Sequence, residues 1–418
     1  MKLPTLLRRT LAAWHVVAAL SLAGGAAVAA PLFAASNTVS DILGVAHETD
    51  PLLVNPWGLT IGPEGNLRVA DDGSGVTTIY APDGTLVTGT QGITIPSVSG
   101  NAPGSPTGIA ENEAAFIIPS DANDFDITSG GNTAPAHYLL GTEDGEIVGY
   151  RESVSATNGI VEVTKTNAGY TGVALAWTGT GADLKHQLYA ANFAQGTVDV
   201  YDSSFNKVTL PSGAFVPPSS VKVPDGAPVD AVWSPFNVKS ADFIGPDPVT
   251  HRVGVQRHLL VAYALHSTTS DVLNDIPGVG NGFVGDYLTS GTWEGMLATP
   301  GSHLNSPWGM ALAHHPLPGA PSAMVLLVGN HGDGQIRAFD FAPGTGVNGI
   351  SFGPFIKDKA GNPLAFDGLW ALKFGRVTIS EAEYELTHAI LGEGDGTLYF
   401  SAGLLGETHG LVGKILIP

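Results

Sequence analysis

Short apolar runs separated by turn-forming residues dominate most of the chain. In the first unit, apolar runs at 58–61, 67–70 and 76–80 are separated by spacers rich in Gly, Pro, Asn and Asp. Five later units repeat this order, and their second runs lie at 138–142, 188–192, 258–264, 325–330 and 397–402. Runs this short, rich in β-branched and aromatic residues, predict strands joined by tight turns rather than helices.

A short phrase opens each unit. It reads Pro-Trp-Gly-Leu at 56–59, Pro-Thr-Gly-Ile at 106–109, Pro-Phe-Asn-Val at 235–238 and Pro-Trp-Gly-Met at 307–310, with looser copies at 171–173 and 367–369. The intervals are 50, 64, 65, 72 and 59 residues when the markers are Gly58, Gly108, Gly172, Asn237, Gly309 and Gly368. Repetition at this scale indicates that one supersecondary unit is arrayed several times.

Six such units predict an all-β, six-bladed β-propeller formed by residues 55–418. The predicted blades are 55–100, 101–165, 166–227, 228–300, 301–362 and 363–418. The segment 30–54 contains a strand-like run at 38–43. We expect this run to become the outer strand of the last blade, because closure of the ring hides an exposed strand edge. A seven-bladed ring is the alternative if residues 207–227 form a degenerate blade.

Several stretches resemble the NHL and lactonase-type propellers and, more specifically, a family of exported bacterial propeller proteins. They are 55–59, 188–193, 280–284, 329–334, 367–372 and 407–411. The resemblance covers nearly the whole chain after the N-terminal segment. It implies the propeller fold and export, and it brings no settled activity with it.

The N-terminus has the pattern of an export signal. A basic start with Lys2, Arg8 and Arg9 precedes an apolar run at 11–23 and a small-residue cleavage motif at 27–29. Residues 1–29 are therefore expected to be a signal peptide, of the Sec or the twin-arginine type, that delivers the protein to the periplasm or the medium. No other stretch is long and apolar enough to be a transmembrane anchor.

Composition narrows the classes of partner. The formal net charge is −20 and cysteine is absent, so nucleic acid is an unsuitable partner, and thiol chemistry and disulfides are excluded. An acidic surface suits Ca²⁺, cationic partners or simple solubility. The remaining candidates are a small molecule, a glycan or an extracellular protein, bound by a monomer.

The residues before the markers are the first candidates for ligand binding, because six innermost strands begin together at the channel mouth. The predicted ligand-binding set is Asn55, Trp57, Thr107, Thr171, Phe236, Asn305, Trp308 and Asp367. Tryptophan beside amide and hydroxyl groups suits a sugar or another amphipathic ligand. The structural alternative is that the indole of each Pro-Trp-Gly wedges between blades.

A metal enzyme in the channel is the competing function. Gluconolactonase-like propellers, which this chain resembles in blade pattern, hold a divalent metal at the mouth through carboxylate and amide ligands. Here only Asp367 among the pre-marker residues is a strong ligand, so the chain departs from that pattern. Further catalytic candidates are His409, which Glu407 could orient as a general base, and His331; each histidine could equally brace a turn.

Calcium is the other candidate cofactor. The loop residues Asp121, Asn123, Asp124 and Asp126 are closely spaced oxygen ligands, although the run lacks a complete calcium-loop motif. Polar residues that end the second strands, such as Asp72 and Glu143, are more simply interpreted as caps of the following turns. The leading function is therefore ligand or partner binding at one face of the ring, and the alternative is a metal-dependent hydrolase or lyase.

Overall fold

A computed structural model describes most of the chain after the N-terminal segment. The described residues are 33–87, 92–97, 103–117, 124–179, 183–246, 253–270, 272–301, 303–313, 324–341, 351–354, 357, 361–376 and 393–417. The expected signal peptide lies outside them. None of the helices in these ranges has the length and apolar character needed to cross a membrane.

The described residues are almost entirely β-structure. The first thirteen strands are β1 (Ala34–Ser40), β2 (Glu48–Thr49), β3 (Pro56–Ile61), β4 (Leu67–Asp71), β5 (Val76–Tyr80), β6 (Ile93–Thr94), β7 (Pro106–Glu111), β8 (Asp126–Ser129), β9 (Asn132–Pro135), β10 (Tyr138–Thr142), β11 (Glu146–Tyr150), β12 (Ile160–Thr164) and β13 (Tyr170–Thr178).

The other thirteen are β14 (Lys185–Asn192), β15 (Thr197–Asp202), β16 (Ala231–Pro246), β17 (Val253–Ser267), β18 (Gly282–Leu288), β19 (Trp293–Ala298), β20 (Pro307–Ala313), β21 (Val325–Asn330), β22 (Ile336–Asp340), β23 (Ser351–Pro354), β24 (Leu369–Arg376), β25 (Glu393–Gly403) and β26 (His409–Leu416). Short helical segments lie at Asp72–Ser74, Glu113–Ile117, Phe193–Gln195 and Leu404–Glu407.

These strands form the six blades of a β-propeller, as the sequence predicts. The blades are, in chain order, β3-β4-β5-β6, β7-β10-β11-β12, β13-β14-β15, β16-β17-β18-β19, β20-β21-β22-β23 and the sheet β24-β25-β26-β1-β2. The innermost strands β3, β7, β13, β16, β20 and β24 contact one another in succession, and β24 returns to β3. The ring is therefore closed. The exact residues at which one blade gives way to the next stay predictions.

The N-terminal strand closes the last blade, which confirms that expectation. β1 pairs antiparallel with β26, with Ala34 opposite Leu416 and Ser40 opposite Leu411. The hydroxyl of Ser40 also donates to the Gly410 carbonyl at 2.7 Å. The first and last described parts of the chain thus share one sheet, and β26 has no free edge along this stretch.

The glycine of the repeated phrase is required by close packing between blades. A Cβ on Gly58 would lie 2.4 Å from the Thr107 carbonyl oxygen, and one on Gly108 would lie 2.5 Å from the backbone nitrogen of Val173. Each innermost strand therefore packs its backbone against the backbone of the next strand. The phrase recurs because this approach is repeated at the four glycine markers Gly58, Gly108, Gly172 and Gly309.

Residues 207–227 do not form a seventh blade. They contain no strand, and they pack over the third and fourth blades instead. Phe215 is 2% exposed, and its carbonyl accepts a hydrogen bond of 2.6 Å from the Tyr263 hydroxyl. The proline-rich segment is thus a cover for a three-stranded blade.

Candidate functional site

Four aromatic side chains fill the middle of the channel, and we call them the aromatic plug: Trp57, Phe236, Trp308 and Trp370. All are at most 4% exposed and belong to one hydrophobic cluster. Trp57 stacks on Trp370 with ring centroids 3.7 Å apart, and Trp308 meets both rings edge-on at 6.4 and 5.8 Å. The plug separates two cavities, one on each side.

Trp370 occupies the position that the sequence assigned to Asp367. Gly309 packs against the backbone of Trp370 and Leu372 as Gly58 packs against that of Thr107 and Ile109, so Ala371 is the sixth marker. The sixth marker is therefore three residues later than the sequence indicated. Asp367 lies before β24, is exposed, and accepts a hydrogen bond of 2.9 Å from the Leu405 backbone.

The first cavity, which we call the mouth pocket, lies where the innermost strands begin. It has a volume of about 120 Å³. Trp57, Phe236 and Trp370 line its inner end together with Leu273. Its polar lining residues are Asn55, Asp72, Glu143, Asn274, Asp275 and Glu407. The lining thus contains four carboxyl groups and no lysine or arginine.

The left-handed backbone of Asn55 (φ 46°) places its side chain between the plug and the carboxyl groups. Its amide nitrogen donates to Asp72 Oδ2 at 3.1 Å, and its Oδ1 accepts from Trp370 Nε1 at 3.3 Å. The predicted candidate Asn55 therefore connects the plug to the acidic rim.

Two carboxyl groups of the mouth pocket have buried oxygens without partners. Oδ1 of Asp72 and Oδ2 of Asp275 make no hydrogen bond within the described chain, and neither does the buried Nε1 of Trp57. Burial, together with the Glu407 and Asp144 charges, raises the pKa of Asp72 to about 6, although the Asn55 hydrogen bond opposes the rise. Buried polar atoms normally have partners, so these atoms mark a place for a ligand or water.

The two candidate histidines have different carboxylate partners from those expected. His331 Nε2 lies 3.2 Å from Glu407 Oε1, and the His331 ring stacks on the second face of Trp370 at 3.8 Å. His409 Nδ1 lies 2.6 Å from Asp41 Oδ2, so Asp41 rather than Glu407 orients it. Glu407 therefore lines the mouth pocket and His331 contacts two of its lining residues, whereas His409 joins the closing segment to the last blade.

Three other predicted ligand contacts are engaged in joining the blades. The hydroxyl of Thr107 donates to the Tyr170 carbonyl, and that of Thr171 donates to the Phe236 carbonyl at 2.8 Å; both threonines are fully buried. Asn305 Oδ1 accepts from the Gly278 backbone at 2.6 Å. Little ring surface of Trp57, Trp308 or Phe236 is exposed, so stacking of a ligand on them stays a prediction.

The two described calcium candidates, Asp124 and Asp126, do not line the mouth pocket. Asp121 and Asn123 lie outside the described residues. The Asp124 carboxylate binds His186 Nδ1 at 2.9 Å, and Asp126 lies in β8 with its Oδ1 buried and unpartnered. Within the described ranges, no group of three or more His, Asp or Glu side chains is arranged to hold a metal ion.

Trp370, Asp72 and Asp275 are site residues that the sequence did not single out for ligand binding. Trp370 was detectable, because Leu-Trp-Ala at 369–371 matches Trp-Gly at 57–58 when alanine replaces glycine. Asp72 follows a second strand, where a polar residue is most simply explained as a turn cap. Asp275 lies in a long loop of the fourth blade with no repeat to mark it.

The fold and the mouth pocket define a six-bladed β-propeller with an acidic cavity at one end of its channel. No family model matches the chain. It is 30% identical over 335 residues to the uncharacterized protein R648 of Acanthamoeba polyphaga mimivirus, covering 80% of this chain and 72% of that protein. The uncharacterized mimivirus protein L690 is 28% identical over 377 residues, covering 89% of this chain and 82% of that protein. The chain belongs to the family of protein R648. Both relatives are viral, so the expected bacterial origin of the family is not supported.

Several solved propellers resemble this structure at low identity. A gluconolactonase from Xanthomonas campestris has a TM-score of 0.38 and 12% identity, over 87% of this chain and 95% of that one. A glucose dehydrogenase has a TM-score of 0.43 and 13% identity, over 91% and 98%. A virginiamycin B lyase from Staphylococcus aureus has a TM-score of 0.37 and 11% identity, over 92% and 99%. The activities in these names belong to those proteins.

Proposed function

We propose that this protein is a binding module that takes a small organic cation, a molecule bearing a protonated amine, in the mouth pocket. The observation that carries the proposal is the pocket's charge: four carboxyl groups line it, and no lysine or arginine does. An excess of acidic groups around a partly buried cavity favours a positively charged occupant, since each ammonium–carboxylate hydrogen bond contributes about 1.5–3 kcal/mol.

The lining favours an ammonium group over a bare metal ion. An ammonium group has three N–H donors that can reach separate acceptors, whereas a metal ion needs ligands that converge on one point. Asp72 and Asp275 each offer an unpartnered buried oxygen. Their convergence into a metal-binding cluster is not found among the described residues. The spaced acceptors therefore suit an amine.

The aromatic plug supports the same ligand class. Trp57, Phe236 and Trp370 close the inner end of the pocket with apolar surface, which suits the carbon skeleton next to an amine. Both faces of Trp370 are covered, by Trp57 and His331, so a flat sugar ring has no open face of this indole to stack on. Charge and hydrogen bonds, rather than stacking, then select the ligand.

The proposed location of binding is outside the cytoplasm, on the evidence of the signal-like residues 1–29. Fractionation of cells that express the full chain, with a variant in which Arg8 and Arg9 are replaced by Lys, tests export. Retention of both forms in the cytoplasm would contradict export without touching the ligand proposal.

The binding proposal is tested by isothermal titration with spermidine, glucosamine and glucose. We expect the two amines to bind and uncharged glucose not to bind. Asp275→Asn and Glu407→Gln should each weaken amine binding by about tenfold, which corresponds to the loss of one charged hydrogen bond. Asp225→Asn is the matched control, because Asp225 is exposed and lies outside the pocket. Equal binding of glucose and glucosamine, or unchanged affinity in Asp275→Asn, would overturn the proposal.

A further inference from the structure

A second cavity lies on the other side of the aromatic plug, and we call it the channel cavity. It has a volume of about 220 Å³ and follows the innermost strands from Gly58, Gly108 and Trp308 toward their ends. Near the plug its lining is mainly apolar. Toward the strand ends it becomes polar and charged, with these lining residues: Glu111, Glu113, Trp177, His186, Lys239, Asp242 and Lys373.

His186 is held in a fixed orientation at the wall of the channel cavity. Its Nδ1 lies 2.9 and 3.1 Å from the two carboxylate oxygens of Asp124. Its ring stacks on Trp177 with centroids 4.5 Å apart and planes 10° apart, and Phe125 meets it edge-on at 5.5 Å. His186 and Asp124 are both 7% exposed. The ring therefore has little freedom to rotate.

This orientation leaves Nε2 as the reactive atom. A carboxylate that accepts from Nδ1–H fixes the tautomer in which Nε2 carries the lone pair. No hydrogen-bond partner of Nε2 is found in the described part of the chain, although the residue lines the cavity. An imidazole held in this way can accept a proton from a water molecule, and the carboxylate stabilises the imidazolium that results.

A second histidine–carboxylate pair in the same fold shows what is distinctive about His186. His258 Nδ1 lies 2.7 Å from Asp286 Oδ1, and both residues are at most 4% exposed. His258 does not line the channel cavity. The two pairs share chemistry and burial, and they differ in access to the cavity.

We propose that the channel cavity is a hydrolytic site for small esters, with His186 as general base and Asp124 as its positioning residue. In the step, His186 Nε2 accepts a proton from water while the water oxygen bonds to the ester carbonyl carbon. The carbon–oxygen bond to the leaving alcohol then breaks, and the imidazolium returns the proton to the departing oxygen. Water is the only co-reactant.

Charged groups of the same cavity fit this chemistry. Lys239 on β16 and Lys373 on β24 line the same cavity, and positive charge near a reacting ester stabilises the negative charge that develops on its carbonyl oxygen. Asp242 also lines it, and its Oδ1 is buried without a hydrogen-bond partner. Burial is the main cause that raises the pKa of Asp242 to about 7, so it can also donate a proton near neutral pH.

The test uses the full chain and p-nitrophenyl acetate as the probe. We expect His186→Gln to lower kcat/KM at least tenfold and His258→Gln to leave it unchanged, both variants being folded by circular dichroism. Asp124→Asn should lower kcat with little change in KM, which a purely structural role would not produce selectively. A folded His186→Gln variant that retains the wild-type rate would overturn the proposal.

A second measurement needs no variant. Diethyl pyrocarbonate modifies accessible unprotonated imidazole nitrogen, and peptide mass spectrometry locates the adduct. We expect modification at His186, not at His258, and a parallel loss of ester hydrolysis. An unmodified His186 under conditions that modify the exposed His47 would contradict the proposal.

Discussion

Trp308 Nε1 donates a hydrogen bond of 3.0 Å to the backbone carbonyl of Thr171, which joins the fifth blade to the third across the channel. Asn237 of the fourth blade adds a second bond, from its amide nitrogen to the Trp308 carbonyl at 2.8 Å. The plug is therefore more than apolar filling. It connects blades that are not neighbours in the ring.

Trp308→Phe should destabilise the protein more than Trp57→Phe. Both tryptophans are 4% exposed, but Trp57 Nε1 has no partner in the described chain. Replacement of Trp308, in contrast, leaves the buried Thr171 carbonyl without its hydrogen-bond donor. An unpaired buried acceptor costs about 1–3 kcal/mol, and the loss of ring volume is the same in both variants. Denaturant unfolding measures the difference. Equal losses would show that the hydrogen bond contributes nothing net.

Gly108→Ala should lower the free energy of unfolding by about 3 kcal/mol. The new Cβ would lie 2.5 Å from the Val173 nitrogen and 2.6 Å from the Gly172 Cα, and backbone atoms cannot move aside as a flexible side chain can. Gly254→Ala is the matched control, because nothing lies within 4 Å of its Cβ and it is exposed on β17. Equal free energies of unfolding for the Gly108→Ala and Gly254→Ala proteins, measured by denaturant unfolding, would refute the close-packing explanation of the repeated phrase.

The fold could be predicted from the sequence because the close approach between blades leaves a repeated trace. Gly58, Gly108, Gly172 and Gly309 stand where only a residue without a Cβ fits, so the array can be counted. The marker of the sixth copy could not be predicted correctly, because Ala371 replaces glycine there. The nearby Gly368, which has φ 61°, is a turn residue. The marker was therefore placed three residues too early.

The candidate site was less predictable, because its residues are brought together by ring closure. Asn55 and Trp370 are hydrogen-bonded although 315 residues separate them, and nothing in their local sequence indicates the contact. Glu407 was expected beside His409, its neighbour in sequence, but it pairs with His331 of the fifth blade. Local spacing identifies turns well, whereas contacts across the channel depend on which blades face each other.

Asp199→Asn should lower stability by about 2 kcal/mol at pH 7. The buried carboxylate accepts from Lys165 at 2.6 Å and Lys207 at 2.7 Å. Burial alone would raise its pKa, but these hydrogen bonds and that of Asn192 hold the pKa below its usual value. A charged hydrogen bond contributes about 1.5–3 kcal/mol, so the loss of charge should be measurable by denaturant unfolding.

The pH dependence separates this effect from a packing defect. A depressed folded-state pKa contributes stability above the unfolded value of about 3.9, and this contribution is lost as the pH falls through the folded pKa. The difference between wild type and Asp199→Asn should therefore shrink at pH 3, and exposed Asp225→Asn should show no difference at either pH. An equal loss at pH 3 and pH 7 would contradict the ionic explanation.

The pH dependence of amine binding should follow Asp72. Burial first, and then the Glu407 and Asp144 charges, raise its pKa to about 6, whereas the Asn55 and Ser105 hydrogen bonds oppose the rise. A bound cation favours the ionised carboxylate, so affinity should increase about tenfold from pH 5 to pH 7. At the lower pH, binding should release a proton from Asp72. Titration calorimetry in two buffers of different ionisation enthalpy measures the released proton.

Asp72→Asn should remove most of this increase, so its binding should be weaker than that of wild type at pH 7 and similar to it at pH 5. The other titratable groups that line the pocket are Glu143, Asp275 and Glu407, and His331 contacts Glu407. Glu407→Gln serves as the comparison because Glu407 lacks the buried, unpartnered oxygen of Asp72. If Asp72→Asn retains the pH dependence that Glu407→Gln removes, the assignment of the pH dependence to Asp72 is wrong. The raised pKa of Asp72 also affects the stability of the unliganded protein. The stability that protonated Asp72 contributes is complete below about pH 3.9 and is lost as the pH rises through about 6. The free energy of unfolding of Asp72→Asn at pH 7 without ligand should therefore be higher than that of wild type.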